Sequence, residues 1–242
     1  MSRINDIREL ISDIDAVLID MSLIYKNAEV DFSVNCLPKV KVKNTLENLR
    51  SILDYSALDI YEFLYAGKVP KIYFPYKKDK ASFDDAINKT FKNIEKLNVD
   101  VYKAVESIQP HVFGSDTLVD LCGLTNDNKH QNLTPQTKVA QPGMMNVGGL
   151  VAFGRGGGVV NFHNSRVNGL PIGKSSFVQI RADMSDSEIL DQLNPALSIS
   201  ITRIGGRVQF KLNNSDHDAL EFLSKSRLMV SGFVDRLYVI IP

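Results

Sequence analysis

LSISITRIGGRVQFKL, residues 197–212, alternates apolar and polar side chains on both sides of a Gly205-Gly206 pair. A period of two is the signature of strands with one buried face, and paired glycines supply the positive φ angles that tight hairpin turns need. In that register Ile201 stands opposite Phe210 and Ile199 opposite Leu212, so both arms present the same apolar face. Sequence rich in Val, Ile, Phe and Gly extends back to Met144, through Gly148, Gly149, Gly154 and the run Gly156 to Gly158. Such a stretch suits strands joined by turns and suits helix poorly. Asn168-Gly169 marks a second hairpin. Two helices belong to the same half: Ser185 with Glu188 caps a short one ended by Pro195, and Ser215 with Asp218 opens another from Asp216. The final RLYVII, from Arg236, fits either continued helix or a last strand.

Upstream the period is helical. Ile4, Ile7, Leu10 or Ile11, Ile14, Leu18 and Met21 recur every three to four residues, which predicts a first helix to about Lys26. After a connection holding Pro38, Leu46, Leu49, Leu53, Ala57, Ile60 and Leu64 define the buried stripe of a second helix, about Asn44 to Tyr65, closed by Gly67 and Pro70. KIYFPYKKDK follows as a surface loop around a few anchoring aromatics. Ser82 with Asp85 has capping-box spacing and opens a third helix that runs to Pro110, burying Ile87, Phe91, Ile94, Val101, Val105 and Ile108. A short fourth helix, about Asp116 to Leu124, leads into the polar run TNDNKHQN and Pro135. The fold class is therefore α+β: an antiparallel helical bundle over 1–134, then a β-rich, glycine-punctuated region over 135–242 with a small antiparallel sheet and one or two covering helices.

Composition narrows the function. Lys plus Arg and Asp plus Glu number 28 each, so no long-range field draws nucleic acid or an anionic membrane, and any such contact is local. No apolar run approaches the roughly 18 residues a membrane span needs, and MSRINDIREL lacks the pattern of a secretory signal, so the expected compartment is the cytoplasm. Cys36 and Cys122 sit among apolar neighbours and read as buried, reduced, structural thiols. No histidine or cysteine spacing supports a metal, and no cofactor motif stands. GLPIGKSS, Gly169 to Ser176, falls short of a phosphate-binding loop, because three residues separate its glycines where four are required and Pro171 removes a donor. Lys89, Lys92, Lys96 and Lys103 form a stripe opposite the apolar face of the third helix, which reads as a solvated surface or as a track for phosphates.

Two groups of residues carry candidate chemistry. Arg50 lies only about 40° around the second helix from Leu46, on the flank of the buried stripe, with Asp54 one turn later. The pair is either an ion pair at the edge of the core or an arginine held to face an anion. Asn126, Asp127, Lys129 and His130 form the densest polar group in the chain. They are either a solvated loop or a site, with His130 as acid or base, Lys129 or Asn126 as its electrophilic partner, and Asp127 on the substrate with Arg50 and Asp54.

LENLRSILDYSALDIYEFL at Leu46 to Leu64, Phe74-Pro75, a helix closing near Gln109-Pro110-His111, and NDNKH at Asn126 to His130 together resemble a group of bacterial proteins related to the HEPN helical domains. The likeness covers roughly the first 130 residues. It implies a module that binds RNA or a nucleotide, in bacterial stress or antiviral defence. HEPN ribonucleases carry an arginine four to six residues before a histidine on one helix; here Asn126 precedes His130 by four and no arginine is near. The ribonuclease motif is therefore not intact, and a cleaving site would have to be rebuilt around Arg50. The alternative expectation is a non-catalytic, homo-oligomeric assembly protein that uses its β-rich half as the contact surface.

Overall fold

The computed structural model describes residues 2–30, 33–67, 70–130, 136–141, 144–154, 157–204, 207–212 and 215–241. Along the chain run α1 (Ile4–Val30), α2 (Lys39–Leu64), α3 (Lys80–Thr90), α4 (Ile94–Leu97), α5 (Val99–Glu106), α6 (Pro110–Phe113) and α7 (Thr117–His130). Then follow β1 (Gln136–Gln141), β2 (Met144–Val147), β3 (Val151–Phe153), β4 (Val159–His163), β5 (Arg166–Val167), β6 (Leu170–Pro171), β7 (Phe177–Arg181), α8 (Asp186–Gln192), β8 (Ile201–Ile204), β9 (Arg207–Leu212) and α9 (Ala219–Ile240). The protein is α+β, with helices ahead of small antiparallel sheets and one long closing helix. It divides into a helical unit, Met1–Asp20 with Pro38–Pro135 and Leu212–Pro242, and a β-rich unit, Met21–Leu37 with Gln136–Lys211. In this division α9 goes with the helices and the end of α1 with the strands.

In the helical unit, α2 is the central element and packs against α7 and α9. Its buried residues, Val42, Leu46, Leu49, Leu53, Ala57 and Ile60 among them, follow the three-to-four spacing of one helical face. Val42 already belongs to that stripe, which is why the helix starts at Lys39, ahead of Asn44. Phe74 and Phe233 meet edge to face at 5.2 Å, a geometry the aromatic quadrupole favours.

The third helix expected over Ser82–Pro110 is a broken one. Asp79 is its N-cap and accepts from the Ser82 N–H, so the cap lies three residues earlier than the sequence suggests. The helix ends at Thr90, and Asn93 takes a left-handed φ of 61°, which asparagine tolerates better than other side chains. Asn98 then caps α5 by accepting from the N–H groups of Asp100 and Val101. Pro110 opens α6, where its missing N–H costs nothing. Ile87, Phe91, Ile94, Val101, Val105 and Ile108 are all buried despite the breaks.

The fourth helix, in contrast, is longer than expected and runs through TNDNKH to His130. Thr125 is buried there and donates its hydroxyl to the Leu121 carbonyl, so a polar residue sits in the core without an unmet hydrogen bond.

In the β-rich unit β2 pairs antiparallel with both β3 and β8, β4 with β7, and β1 with β9. The two arms of the expected 197–212 hairpin are strands, but among the described residues each has another partner: Ile201 faces Val147, while β9 joins β1. The Gly205-Gly206 turn lies outside the described residues. The hairpin at Asn168-Gly169 is present, with Val167 opposite Leu170 and φ of 49° and 81° at its two turn residues, the pair of left-handed values a type I′ turn requires. The Ser185 capping box is complete and opens α8, which ends at Gln192, before Pro195. Ser215 does not cap the last helix; Asp218 does, and the helix carries RLYVI to Ile240.

Candidate functional site

Arg50 of α2 ends among partners that occupy all three of its guanidinium nitrogens. Nε lies 3.3 Å from Asp54 Oδ2 and Nη2 lies 3.1 Å from Asp54 Oδ1, a side-on fork between residues one turn apart. Nη1 points at the Cys122 sulfur on α7, at 2.7 Å. Nη2 also reaches the Phe74 carbonyl at 3.5 Å, while Asp54 Oδ1 accepts from the Phe74 N–H at 2.8 Å. The pair thus holds Phe74 by both of its backbone groups and fastens the segment 71–78 to α2. Gln109 extends the fastening, donating to the Pro75 carbonyl and accepting from the Lys77 N–H. Burial pushes the Cys122 thiol up to about 11, although Arg50 pulls it down, so the sulfur is a neutral acceptor near pH 7.

Beside this clamp lies an open cleft of about 870 Å³, lined by Arg50 and Asp54, the segment Lys71 to Lys78, Ala86, Lys89 and Thr90 of α3, and Val119 and Asn126 of α7. Five cations line it, Arg50, Lys71, Lys77, Lys78 and Lys89, against the single carboxylate of Asp54, which is already paired with Arg50. Lys78 reaches Asp116 at 2.6 Å; Lys71, Lys77 and Lys89 have no ion pair among the described residues. Two tyrosines stand among these charges. The Arg50 guanidinium carbon is 5.0 Å from the centre of the Tyr76 ring, and Tyr73 is 56% exposed with Lys71 Nζ 5.8 Å from its centre. A concave surface with an excess of one sign concentrates counter-ions, so the cleft favours anions.

Of the six residues singled out in the sequence, Arg50, Asp54 and Asn126 share this cleft. Asp127 is exposed on α7 and does not line it. Lys129 and His130 form the last turn of α7, and their side chains lie outside the described residues. The lysine stripe does not lie on one helix: Lys89 belongs to α3 and lines the cleft, whereas Lys92, Lys96 and Lys103 are exposed across the breaks that follow. The residues that sequence reading passed over are Lys71, Tyr73, Tyr76, Lys77 and Lys78. Their signal was the interleaving of basic and aromatic residues in KIYFPYKK, which reads equally well as an anchored surface loop.

A second polar contact joins residues far apart in sequence. His217, just before α9, has Nε2 at 2.9 Å from Asp120 Oδ2 on α7, and its ring stacks on Phe222. Both side chains are more than a third exposed, and the pair ties the start of α9 to α7. Among the described residues no group of three or more His, Cys, Asp or Glu side chains is placed to hold a metal ion, and no helix is long and apolar enough to cross a membrane. Comparison of the chain with protein-family models, with curated proteins and with solved structures finds no match.

Proposed function

We propose that this chain is a HEPN-like module that binds RNA or a nucleotide in the cleft formed by α2, α3, α7 and the 71–78 segment. The observation that carries the reading is the gathering of five cations and two tyrosines against one paired carboxylate, in a chain whose total charge is zero. Lysines neutralise phosphates, and tyrosine faces accept bases, so the cleft offers both halves of nucleotide recognition. Arg50 and Asp54 act on this reading by fixing the loop that presents them. The alternative of assembly through the β-rich unit has less behind it. The outward face of the β4–β7 ladder alternates apolar Val159 and Phe177 with Asn161, His163, Gln179 and Arg181 and makes no continuous apolar patch.

The test is fluorescence anisotropy of the full chain with a labelled RNA 12-mer across a salt series. Affinity is expected to fall as salt rises, with a log–log slope of about −2 for three phosphate contacts on a single strand. The double variant Lys77→Ala/Lys89→Ala should flatten that slope by about 1.4 while unfolding like the wild type. Wild-type protein with no salt-dependent binding to RNA or nucleotides would overturn the proposal. If cleavage accompanies binding, His130→Ala should leave binding intact and slow cleavage by about 10²–10⁴-fold, the share of a general acid or base.

A further inference from the structure

Resting on that binding reading, we infer that the cleft takes a single-stranded polynucleotide through its phosphates and base faces alone, so that RNA and DNA strands bind alike and a mononucleotide binds poorly. Three features lead there. The first is where the positive charge sits. A mononucleotide site gathers backbone N–H groups at a helix N-terminus to cradle a pyrophosphate. The helical residues lining this cleft come mostly from elsewhere: Arg50 and Asp54 from the interior of α2, Ala86, Lys89 and Thr90 from the last two turns of α3, and Asn126 from the later part of α7. Val119 alone lies in a first turn, that of α7, with no lysine of the cleft beside it there. Its charge is spread over Lys71 and Lys77, six residues apart on the 71–78 segment, and Lys89 on α3, which matches successive phosphates of a strand better than a single phosphate group.

The second feature is Tyr73. Its exposed ring, with Lys71 beside it, is a stacking surface for any base whose face is free, and in a duplex those faces are covered. The third is the lack, among the described residues, of a fixed group to read the sugar. A protein tells RNA from DNA at a site by hydrogen-bonding the 2′-OH. Here the lining groups that are held in a set orientation are spent on the loop itself, while Asn126 is an exposed side chain on α7. Asp54 holds Arg50 and the Phe74 N–H; the Phe74 carbonyl faces Arg50; the Pro75 carbonyl and the Lys77 N–H bond Gln109. The Thr90 hydroxyl donates to the Ala86 carbonyl.

The experiment is a competition series on the full chain at fixed salt, using a labelled RNA 12-mer displaced by the same RNA, by DNA of the same sequence, by the matched duplex, and by AMP. Single-stranded RNA and DNA are expected to compete within about threefold of each other, and the duplex and AMP at least tenfold more weakly. Tyr73→Ala should weaken both strands by about 5- to 100-fold, the size of one lost stack, and Tyr73→Phe should restore them. RNA that binds while DNA is tenfold weaker, or AMP that competes as well as the strand, would overturn this inference and leave the binding reading standing. If neither a polynucleotide nor AMP binds, both fall together.

Discussion

The Arg50 side chain is 12% exposed and Asp54 23%, so this pair is screened far less than a surface bridge, and its worth lies in what breaks when one member leaves. Asp54→Ala strips the guanidinium of its carboxylate and leaves the Phe74 N–H without its acceptor. A loss of about 3 kcal/mol is expected in urea unfolding, the cost of breaking a largely buried pair. Lys77→Ala, on the exposed side of the same segment, should cost under about 0.5 kcal/mol. A loss for Asp54→Ala as small as that for Lys77→Ala would mean that the clamp does not hold the loop. Cys122 adds a pH dependence. Its thiol is held up at about 11 by burial against an ordinary value of 9.0, so from about pH 9 the unfolded chain releases this proton while the folded protein keeps it. Stability linked to the thiol is present below pH 9 and is lost as pH rises through 11, by an amount on the order of 2 kcal/mol. Unfolding measured from pH 8 to 11 should show a steeper alkaline loss in the wild type than in Cys122→Ser, which has no thiol to ionise. Parallel curves would remove the linkage.

At the scale of elements, the α3–α5 stretch shows what periodicity captures and what it misses. All six positions that hydrophobic spacing picked out from Ile87 to Ile108 are buried, because burial depends on which side of the chain faces the core and short breaks need not change that side. The breaks themselves depend on single asparagines: Asn93 in the left-handed region and Asn98 as a cap, residues that are also common on solvated helix surfaces. Asn98→Ala is therefore expected to cost about 1 kcal/mol, the usual price of a lost cap, and Lys96→Ala under about 0.5 kcal/mol. Leu53→Ala on the central stripe of α2 should cost about 2–5 kcal/mol. Equal losses at Leu53 and Lys96 in chemical denaturation would mean that the buried faces are misassigned. The strands were legible as strands and illegible in their pairing. Alternation fixes which residues of Ile201–Ile204 and Arg207–Leu212 share a face, but it carries no information about which strand lies alongside. Nor could spacing show Arg50 against Cys122, since that contact joins residues 72 positions apart.

At the scale of the whole molecule the charges cancel, 28 against 28, so any affinity for a polyanion has to come from where the lysines stand and not from how many there are. The protein therefore serves as its own control. Lys71, Lys77 and Lys89 line the cleft, whereas Lys92, Lys96 and Lys103 are exposed elsewhere in the same unit. Removing three charges from either set changes the net charge equally, so a response to overall charge would be the same for both triple variants. A response to phosphates bound in the cleft would not be. Lys71→Ala/Lys77→Ala/Lys89→Ala should abolish the salt slope of about −2 and weaken binding at low salt by more than tenfold. Lys92→Ala/Lys96→Ala/Lys103→Ala should keep the slope within about 0.5 of the wild type, since none of the three lines the cleft to contact a bound phosphate. Titrations of one labelled RNA strand against the wild type and both variants, from about 50 to 300 mM salt, read the two slopes directly. Equal losses in the two variants would place the binding outside the cleft, on charge spread over the surface.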